Sequence, residues 1–288
     1  MDIGLFHPGE MGVTVGNSLG LAGHRVYWAS SGRSAATRVR AEKAGLIELT
    51  TQAALLESCP LVVSVCPPQF ALDMAQTVCG HGFSGAYVDV NAISPQTARH
   101  LADLCARSGI DFVDGSLIGP PAWTTGTTTL YLCGPSAHRV ADCFVGGHLT
   151  VVVLEAEIGA ASALKMCDSA FNKGLLAVLY QTLAVAEKLG VRDQLQAIWD
   201  SNPGGAGQVS TENRRICRSA RKSWRFVPEM NQVIETVRAL GLKDDIFRNA
   251  RDIFRPLACF DPDADLPSEA EVLAALLARS DQSSQKRG

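Results

Sequence analysis

A short turn with two glycines near the start of the chain constrains its fold more than any other feature. Residues 2–6 read Asp-Ile-Gly-Leu-Phe, which is typical of a short buried strand, and an amphipathic helical pattern follows the turn. The turn itself, residues 7–12, reads His-Pro-Gly-Glu-Met-Gly. Gly9 and Gly12 occupy the second and third glycine positions of the dinucleotide fingerprint Gly-x-Gly-x-x-Gly, and His7 occupies the first. The pattern favours a phosphate-binding turn over the alternative, a strand-turn-helix without a ligand.

Strand-like apolar runs alternate with helical stretches through the first half of the chain. The strand-like runs are residues 2–6, 25–28, 61–66, 86–90 and 111–114. Helical spacing occupies residues 34–44 and 95–108, and two further β-rich runs follow at 127–133 and 150–154. Strands that are separated by helices of this length pair in parallel through right-handed crossovers. We therefore predict an α/β fold in which residues 1–155 form a doubly wound parallel sheet of the Rossmann type.

The second half of the chain has a helical character. Residues 159–189 contain no proline and carry apolar side chains on nearly every face, which predicts a helix of roughly 45 Å that is buried all round. Further helical patterns occupy residues 191–200, 210–222, 228–240, 244–258 and 268–279. We predict a long interdomain helix, an all-helical domain over residues 156–280 and a flexible tail over residues 281–288. The glycine-rich segment 202–207 is predicted to be a loop between helices.

The end of the second predicted strand indicates which dinucleotide the chain binds. An acidic residue normally holds the adenosine ribose at this position, but residues 28–34 read Trp-Ala-Ser-Ser-Gly-Arg-Ser and contain no carboxylate. Arginine supplies charge-assisted hydrogen bonds and serine supplies neutral ones, which suits a 2′-phosphate. We therefore predict NADP(H), with a plain polar surface loop as the alternative.

Composition excludes several other classes of protein. The 288 residues carry 26 basic and 29 acidic side chains, so the net charge of −3 argues against a nucleic-acid binder. No apolar run approaches the roughly 18 residues of a membrane helix, and no signal peptide is recognisable, so we expect neither a membrane partner nor secretion. The nine cysteines form no CxxC pair, which favours reduced thiols in a cytoplasmic protein. The six histidines show no metal-binding spacing, so no metal site is predicted.

Four segments occur in the same order as in a known superfamily. They are residues 9–12, residues 89–95, residues 112–120 and residues 159–165. The chain resembles the β-hydroxyacid dehydrogenases in these segments, a superfamily that includes 3-hydroxyisobutyrate and 6-phosphogluconate dehydrogenases and imine reductases. Asn91 and Ala92 stand in the Ser-Thr places of its Asp-x-Ser-Thr-x-x-Pro segment. The resemblance spans nearly the whole chain.

The C-terminal half resembles one less characterised branch of this superfamily. Residues 224–230, Trp-Arg-Phe-Val-Pro-Glu-Met, look like part of a C-terminal domain of unknown function found in phosphogluconate-dehydrogenase-like proteins. Residues 163–166, Ala-Leu-Lys-Met, followed by Lys173-Gly174, strengthen that resemblance.

The resemblance implies NADP(H)-dependent hydride transfer to or from a small hydroxy acid or carbonyl compound. Lys165 matches the catalytic lysine and would act as the general acid or base. Ser169 stands where the superfamily usually has Asn and is the second predicted catalytic residue, which would hydrogen-bond the substrate oxygen or orient the lysine ammonium. The implied cofactor-binding residues, including the glycine turn and the serine and arginine positions above, are His7, Pro8, Gly9, Glu10, Met11, Gly12, Ser30, Ser31, Arg33, Ser34, Cys66, Pro67, Pro68 and Asn91. The implied substrate contacts are Ile118, Gly119, Pro120, Asn172, Lys173, Trp224 and Met230. Ile118 and Pro120 depart from the superfamily, which offers Ser and Gly to a substrate carboxylate there.

Two other functions remain open at the level of sequence. An imine reductase acting on a cyclic imine is one alternative, although such enzymes usually have Asp or Tyr where Lys165 stands. A sensor that binds NADP(H) but has lost its chemistry is the other. The superfamily resemblance also implies a homodimer built from the helical domains, in which Trp224, Glu229 or Met230 approaches the partner's cofactor cleft. The basic stretch 214–225 is predicted to be a solvated helix face or a dimer contact, or else a pocket for an anionic substrate.

Overall fold

The computed structural model describes residues 1–201, 213–261 and 264–284, and it divides the chain into two compact units. The first unit is Met1–Asp168 and the second begins at Ser169. The division falls inside the long helix, whereas the boundary predicted from sequence lies before that helix and stays a prediction. The predicted loop at 202–207 lies outside the described residues.

The first unit is built on an eight-stranded sheet in the order β3-β2-β1-β4-β5-β6-β7-β8. Its strands are β1 Asp2–Phe6, β2 Arg25–Ala29, β3 Ile47–Leu49, β4 Leu61–Ser64, β5 Ala86–Asp89, β6 Asp111–Ile118, β7 Thr129–Cys133 and β8 Thr150–Val153. All neighbouring strands pair in parallel except β6 and β7. The strand order reverses between β1 and β4, and ligands of doubly wound sheets bind at such a switch point. The predicted Rossmann-type sheet is confirmed.

Two parts of the sheet differ from the sequence prediction. Strand β6 was expected to end near residue 114, but it continues to Ile118 because β7 pairs with it in antiparallel fashion from Asp114 opposite Cys133 onward. No helix separates β6 from β7, so the crossover that parallel pairing requires is absent between them. Strand β3 was not predicted, because its three residues Ile-Glu-Leu are too few to show a pattern.

Helices cover the sheet on both faces. They are α1 Gly12–Leu21, α2 Ala35–Lys43, α3 Gln52–Ser58, α4 Ala71–Gly80, α5 Pro95–Arg107 and α6 Ala137–Asp142. Successive residues of a strand point to opposite faces, so Val88 packs in one buried apolar cluster and its neighbour Tyr87 in the other. This double burial fixes the register of the central strands, and their carboxyl ends lie together at one edge.

The helical part of the chain begins with the long helix α7 Ala160–Lys188, which crosses into the second unit. The helices that follow are α8 Arg192–Ser201, α9 Asn213–Ala220, α10 Ser223–Ala239, α11 Asp245–Leu257 and α12 Glu269–Ser284. Edge-to-face contacts join Phe254 to both Tyr180 and Phe226, and the Tyr180 hydroxyl donates to the carbonyl of Ile216 at 2.7 Å. These contacts tie α7, α9, α10 and α11 together.

Three helical expectations need correction or comment. Helix α7 is not buried all round in the single chain, because Phe171, Leu175 and Val178 are 67%, 52% and 59% exposed, and their burial against a second copy stays a prediction. Helix α10 begins at Ser223 rather than at residue 228, with Pro228 inside it. Helix α12 includes residues 281–284 of the predicted tail, which contain no proline or glycine to end it. No helix among the described residues combines the length and apolarity needed to cross a bilayer.

Candidate functional site

The backbone of His7 performs the role of the first glycine in the fingerprint. His7 follows β1 directly and has φ +64°, and no other non-glycine residue in the described parts of the chain has a positive φ. Glycine adopts this left-handed conformation freely, whereas an L side chain raises the free energy by roughly 1–2 kcal/mol. The amide of Gly9 donates to the carbonyl of His7 at 2.7 Å and closes the turn. The sequence therefore keeps a glycine-like turn while placing an imidazole in it.

The two remaining fingerprint glycines are required for different reasons. A Cβ at Gly12 would lie 2.3 Å from the carbonyl oxygen of His7, so only glycine permits α1 to begin this close to the turn. A Cβ at Gly9 would meet nothing closer than 4.0 Å, so the backbone there borders open space. Helix α1 starts at Gly12 without a side-chain cap, and the positive end of its dipole favours an anion. Pro8 is buried, Glu10 is exposed and Met11 is the residue before α1.

An arginine from the next strand end lies near this turn. Burial, together with the positive charge of Arg33, lowers the pKa of His7 to about 4. Burial also lowers the pKa of Arg33, whose charge acts on Cys66 as well. The buried atoms His7 Nδ1 and Arg33 Nε have no hydrogen-bond partner within the described structure. Two buried nitrogen atoms thus lie close to the glycine turn with their hydrogen-bonding capacity unused, which fits a site for a phosphorylated nucleotide.

The serines predicted to bind a 2′-phosphate take different positions. Ser30 is buried at the end of β2 and Ser31 is exposed. Ser34 caps α2, because its hydroxyl accepts a hydrogen bond from the amide of Thr37 at 3.2 Å. Nearby, Arg38 forms an ion pair with Glu48 of β3. Among these groups, Arg33 is the cation that no described carboxylate neutralises.

A buried polar network holds the end of β5 against the end of β4. Asp89 accepts hydrogen bonds from the backbone amide of Asn91 at 3.0 Å, from Asn91 Nδ2 at 2.7 Å and from the Tyr87 hydroxyl at 3.2 Å. Asn91 Oδ1 accepts from the amide of Cys66 at 2.5 Å, and Asn91 Nδ2 also donates to Ser64. Asn91 was predicted as a cofactor ligand, yet its side-chain amide binds protein groups and positions the segment that begins at Cys66. Burial and the charge of Asp89 raise the pKa of Cys66 to about 12, so this thiol stays protonated.

Asp114 of β6 fixes the start of the helix that carries Lys165. Its carboxylate accepts hydrogen bonds from the amides of Gly159 at 2.9 Å and Ser162 at 3.2 Å, and from the Ser162 hydroxyl at 2.6 Å. A negative group at this position satisfies the unpaired amides of a helix N-terminus. Lys165 follows one turn later and is half-buried.

The start of α7 also lies beside the loop after β5. A Cβ at Gly159, where φ is +100°, would lie 3.2 Å from the carbonyl oxygen of Pro95, the first residue of α5. Helix α5 begins shortly after Asn91, which follows β5. The start of α7, which carries Lys165, therefore lies at the same edge of the sheet as the end of β5. The structure thus brings Lys165 to the carboxyl edge within the first unit.

The predicted substrate contacts in the first unit lie where β6 ends. Ile118 is the last residue of β6 and is half-buried, and Gly119 and Pro120 are exposed. Gly119 has φ +135°, and a Cβ there would lie 2.4 Å from the carbonyl of Thr127, so the close return of the chain requires glycine. The Thr128 hydroxyl donates to the carbonyl of Pro120 and fixes this bend.

A second polar cluster lies within the helical unit. Lys173 Nζ donates to Glu229 Oε1 at 2.8 Å and to Ser169 Oγ at 3.4 Å, and it lies 5.5 Å from the ring centre of Phe226. Ser169 itself donates to Glu229 at 2.5 Å. The side chains of Lys173 and Glu229 are only 14% and 11% exposed, so this is a nearly buried ion pair. The hydroxyl of Ser169 is engaged within the cluster, which joins α7 to α10.

The remaining predicted substrate residues of the helical unit differ in exposure. Asn172 is exposed on α7 and Trp224 is 39% exposed on α10. Met230 is fully buried in the core of the unit. Its position does not favour contact with a substrate, and the roles of Asn172 and Trp224 stay predictions.

Sequence reasoning assigned no role to Asp89, Asp114 and Glu48. Asp89 and Asp114 each interrupt an apolar strand, and a carboxylate in a buried strand was the signal that could have identified them. Glu48 lies in the unpredicted strand β3, so its pairing with Arg38 had no signal along the sequence.

Several known proteins resemble this chain in sequence or in fold. Residues 186–257 match the family model of DUF1932, a domain of unknown function, from the end of α7 to the end of α11. An uncharacterized 28.5 kDa protein of Methanothermus fervidus is 28% identical over 224 residues, covering 78% of this chain and 86% of that one. A conserved protein of unknown function, described as structurally similar to 3-hydroxyacid dehydrogenases, is 28% identical with a TM-score of 0.63. That match covers 90% of this chain and all of the other.

Enzymes of known activity also share the architecture. The 3-hydroxyisobutyrate dehydrogenase of Mycobacterium tuberculosis has a TM-score of 0.70 at 18% identity, covering 96% of this chain and 98% of the enzyme. This chain has the hydroxyacid dehydrogenase fold. An imine reductase variant of Myxococcus stipitatus in complex with NAD+ has a TM-score of 0.56 at 16% identity, with coverage of 96% and 99%. The sequence-based resemblance to hydroxyacid dehydrogenases, imine reductases and a C-terminal domain of unknown function is confirmed.

Proposed function

We propose that this chain is an NADP(H)-dependent oxidoreductase that transfers a hydride to or from a small hydroxy acid or carbonyl compound. The glycine turn at the sheet's switch point carries the proposal. His7 adopts a glycine-like φ, Gly12 allows α1 to approach the turn, and Gly9 borders open space where a pyrophosphate would lie.

The unpaired cation at the β2 end supports the phosphorylated form of the cofactor. Arg33 has no neutralising carboxylate in the described structure, and a 2′-phosphate would supply the missing negative charge. Solved neighbours of the same fold include complexes with NADP+ and with NAD+, so the fold itself accommodates either form.

Lys165 is the proposed proton donor. A nicotinamide cofactor supplies the hydride when bound. As a hydride reaches a carbonyl carbon, negative charge develops on the oxygen, and the Lys165 ammonium would transfer a proton to it. In the opposite direction, the neutral amine of Lys165 would remove the hydroxyl proton. The hydrogen bonds from Gly159 and Ser162 to Asp114 would hold this lysine in place at the start of α7.

We also propose that two copies of the chain associate through α7. Beyond Lys165, the exposed large apolar residues of this helix are Phe171, Leu175, Val178 and Val185, and Leu189 follows directly after its last residue. Their spacing of four and three residues, with one polar interruption at Thr182, matches the seam of a coiled coil. A second copy would cover this stripe.

Cofactor titration of matched glycine variants tests the central proposal. The wild-type protein is expected to bind NADPH with micromolar affinity, measured as a change in NADPH fluorescence. Gly12→Ala should weaken this binding at least tenfold, because its methyl group displaces the turn. Gly20→Ala, in the same helix with no atom within 4 Å of its new methyl group, is the control and should bind like wild type. Failure of wild type to bind either NADPH or NADH at millimolar concentration would refute the proposal.

A substrate panel separates the candidate chemistries. NADPH oxidation with oxo acids and aldehydes supports the dehydrogenase, and oxidation with cyclic imines alone supports an imine reductase, whose fold this chain shares. Cofactor binding without turnover on any panel member would favour a sensor.

A further inference from the structure

His7 retains a strained conformation at a position where glycine would be relaxed. Its φ of +64° is left-handed, and the fingerprint to which it conforms has glycine there. Residues held in such conformations concentrate at ligand-binding positions, where the surrounding structure holds them in place despite the strain. The strain suggests that the imidazole, and not the backbone alone, has a role at this turn.

The surroundings of the imidazole indicate what it could bind. His7 Nδ1 and Arg33 Nε are both buried, and the described structure gives neither a hydrogen-bond partner. Buried polar atoms are almost always paired in folded proteins, so two orphaned nitrogens near one turn point to an absent ligand. Burial and the charge of Arg33 keep the imidazole neutral at physiological pH, with one ring N–H available to donate.

The charges nearby narrow the choice of acceptor. Arg38 is paired with Glu48, whereas Arg33 has no carboxylate partner among the described residues. A carboxylate does not accompany His7 either, so the pair has a net positive charge and offers the imidazole N–H and the guanidinium as donors. The complementary ligand is an anion with several acceptor oxygens, and a phosphate monoester has this character.

We propose that His7 is a specificity-determining residue that binds the 2′-phosphate of NADP(H) together with Arg33. This inference rests on the proposed function. Arg33 belongs to the turn after β2, and the end of this strand is where doubly wound sheets hold the adenosine ribose. The pyrophosphate would be bound by backbone amides at the start of α1, so it does not need the imidazole.

Replacement by glycine gives a test in which the two interpretations predict opposite results. His7→Gly restores the common fingerprint and relieves the left-handed φ, so the variant should fold and unfold at an unchanged or higher denaturant concentration. If His7 binds the 2′-phosphate, this variant loses about tenfold or more in NADPH affinity while its NADH affinity stays within twofold of wild type. His7→Asn, which tolerates the same φ, should give a similar selective loss.

Arginine variants provide the matched comparison. Arg33→Ala should show the same selective loss of NADPH affinity as His7→Gly, and the double variant should lose less than the sum because both groups serve one phosphate. Arg38→Ala removes an equal charge from the same region and should leave both affinities near wild type. Calorimetric titration with each cofactor measures all of these values.

Three outcomes would overturn the inference. His7→Gly could bind NADPH as well as wild type or more tightly, which would make the imidazole dispensable. It could lose NADPH and NADH affinity equally, which would place His7 at the pyrophosphate or the turn itself. Wild type that binds neither cofactor would refute the proposed function, and the role of His7 with it, whereas the first two outcomes leave that function intact.

Discussion

At the scale of single residues, the half-buried Lys165 has a role that kinetics can isolate. Lys165→Met removes the proton donor with little change in side-chain length, and turnover should fall by roughly 10²–10⁴-fold because proton transfer contributes about that factor. The NADPH dissociation constant should stay within a few-fold of wild type, since the glycine turn is unchanged. Steady-state kinetics and a cofactor titration, on the substrate found with the panel, measure both quantities.

The same helix offers a control for this substitution. Lys188 lies on the exposed last turn of α7, so Lys188→Met changes the same residue type at the opposite end of the helix from Lys165. Its turnover should equal that of wild type. A Lys165→Met variant with turnover within a few-fold of wild type would show that another group donates the proton.

The candidate site shows which residues can be assigned from sequence and which cannot. Arg33 was predicted from its charge and its place after β2, and the structure shows it close to the glycine turn. Asn91 was predicted as a cofactor ligand from its motif, but its amide binds Cys66, Ser64 and Asp89. Residues 66 and 91 are brought together only by the pairing of β4 with β5. A motif can identify a residue that lies near a site, but it does not reveal which neighbouring groups form hydrogen bonds with its side chain.

At the scale of elements, strands and helices with strong periodicity could be predicted from sequence. The buried parallel strands β1, β4 and β5 appear as continuous apolar runs, because helices cover both of their faces. The reversed direction of β7 could not be predicted, since strand direction depends on a partner and not on local pattern. The exposure of α7 in the single chain could not be predicted for a similar reason. An apolar pattern indicates that a helix packs against other residues, but it does not specify which chain provides them.

Helix α7 yields a prediction about assembly. Val178→Glu places a charge in the middle of the exposed apolar stripe, and burying an unpaired carboxylate between two copies costs several kcal/mol. Light scattering should therefore give a particle of twice the 30.6 kDa chain mass for wild type and of one chain mass for the variant.

A matched substitution tests whether the apolar stripe is responsible for the association of two copies. Val39 is 47% exposed on α2 of the first unit, and Val39→Glu should leave the particle at twice the chain mass. A single-chain mass for wild type at micromolar concentration would contradict the proposed association.

At the scale of the whole molecule, Asp89 makes stability depend on pH. Burial raises the pKa of Asp89 from 3.8 to about 7, and the nearby charge of Asp114 contributes to the rise. In the unfolded chain this carboxyl loses its proton near pH 4, so between pH 4 and 7 the folded state binds more protons. The stability linked to Asp89 is therefore fully present below pH 4 and is lost as the pH rises through 7, by at most about 1.4 kcal/mol per pH unit.

Urea unfolding of wild type and Asp89→Asn at pH 5 and pH 8 measures this effect. The free energy of unfolding of wild type minus that of the variant should be smaller at pH 8, because asparagine does not titrate. Other groups, including His7 with its pKa of about 4, titrate in both proteins, so their contributions to the free energy of unfolding cancel in the difference. A difference that is the same at both pH values would show that Asp89 is ionised throughout.

Helix α7 carries both Lys173, which forms the ion pair with Glu229, and the apolar stripe. The two faces must keep their relative orientation, and this limits which insertions the helix tolerates. Each residue inserted between Lys173 and Val178 would advance the rest of the helix by 1.5 Å and rotate it by about 100°. The stripe would then turn away from the direction that the ion pair with α10 sets for it. Insertions of about seven, eleven or eighteen residues, which are close to whole numbers of turns, would restore both faces together. In-frame insertions in this stretch of the gene should therefore have such lengths or be eliminated, while point substitutions accumulate freely on the polar side.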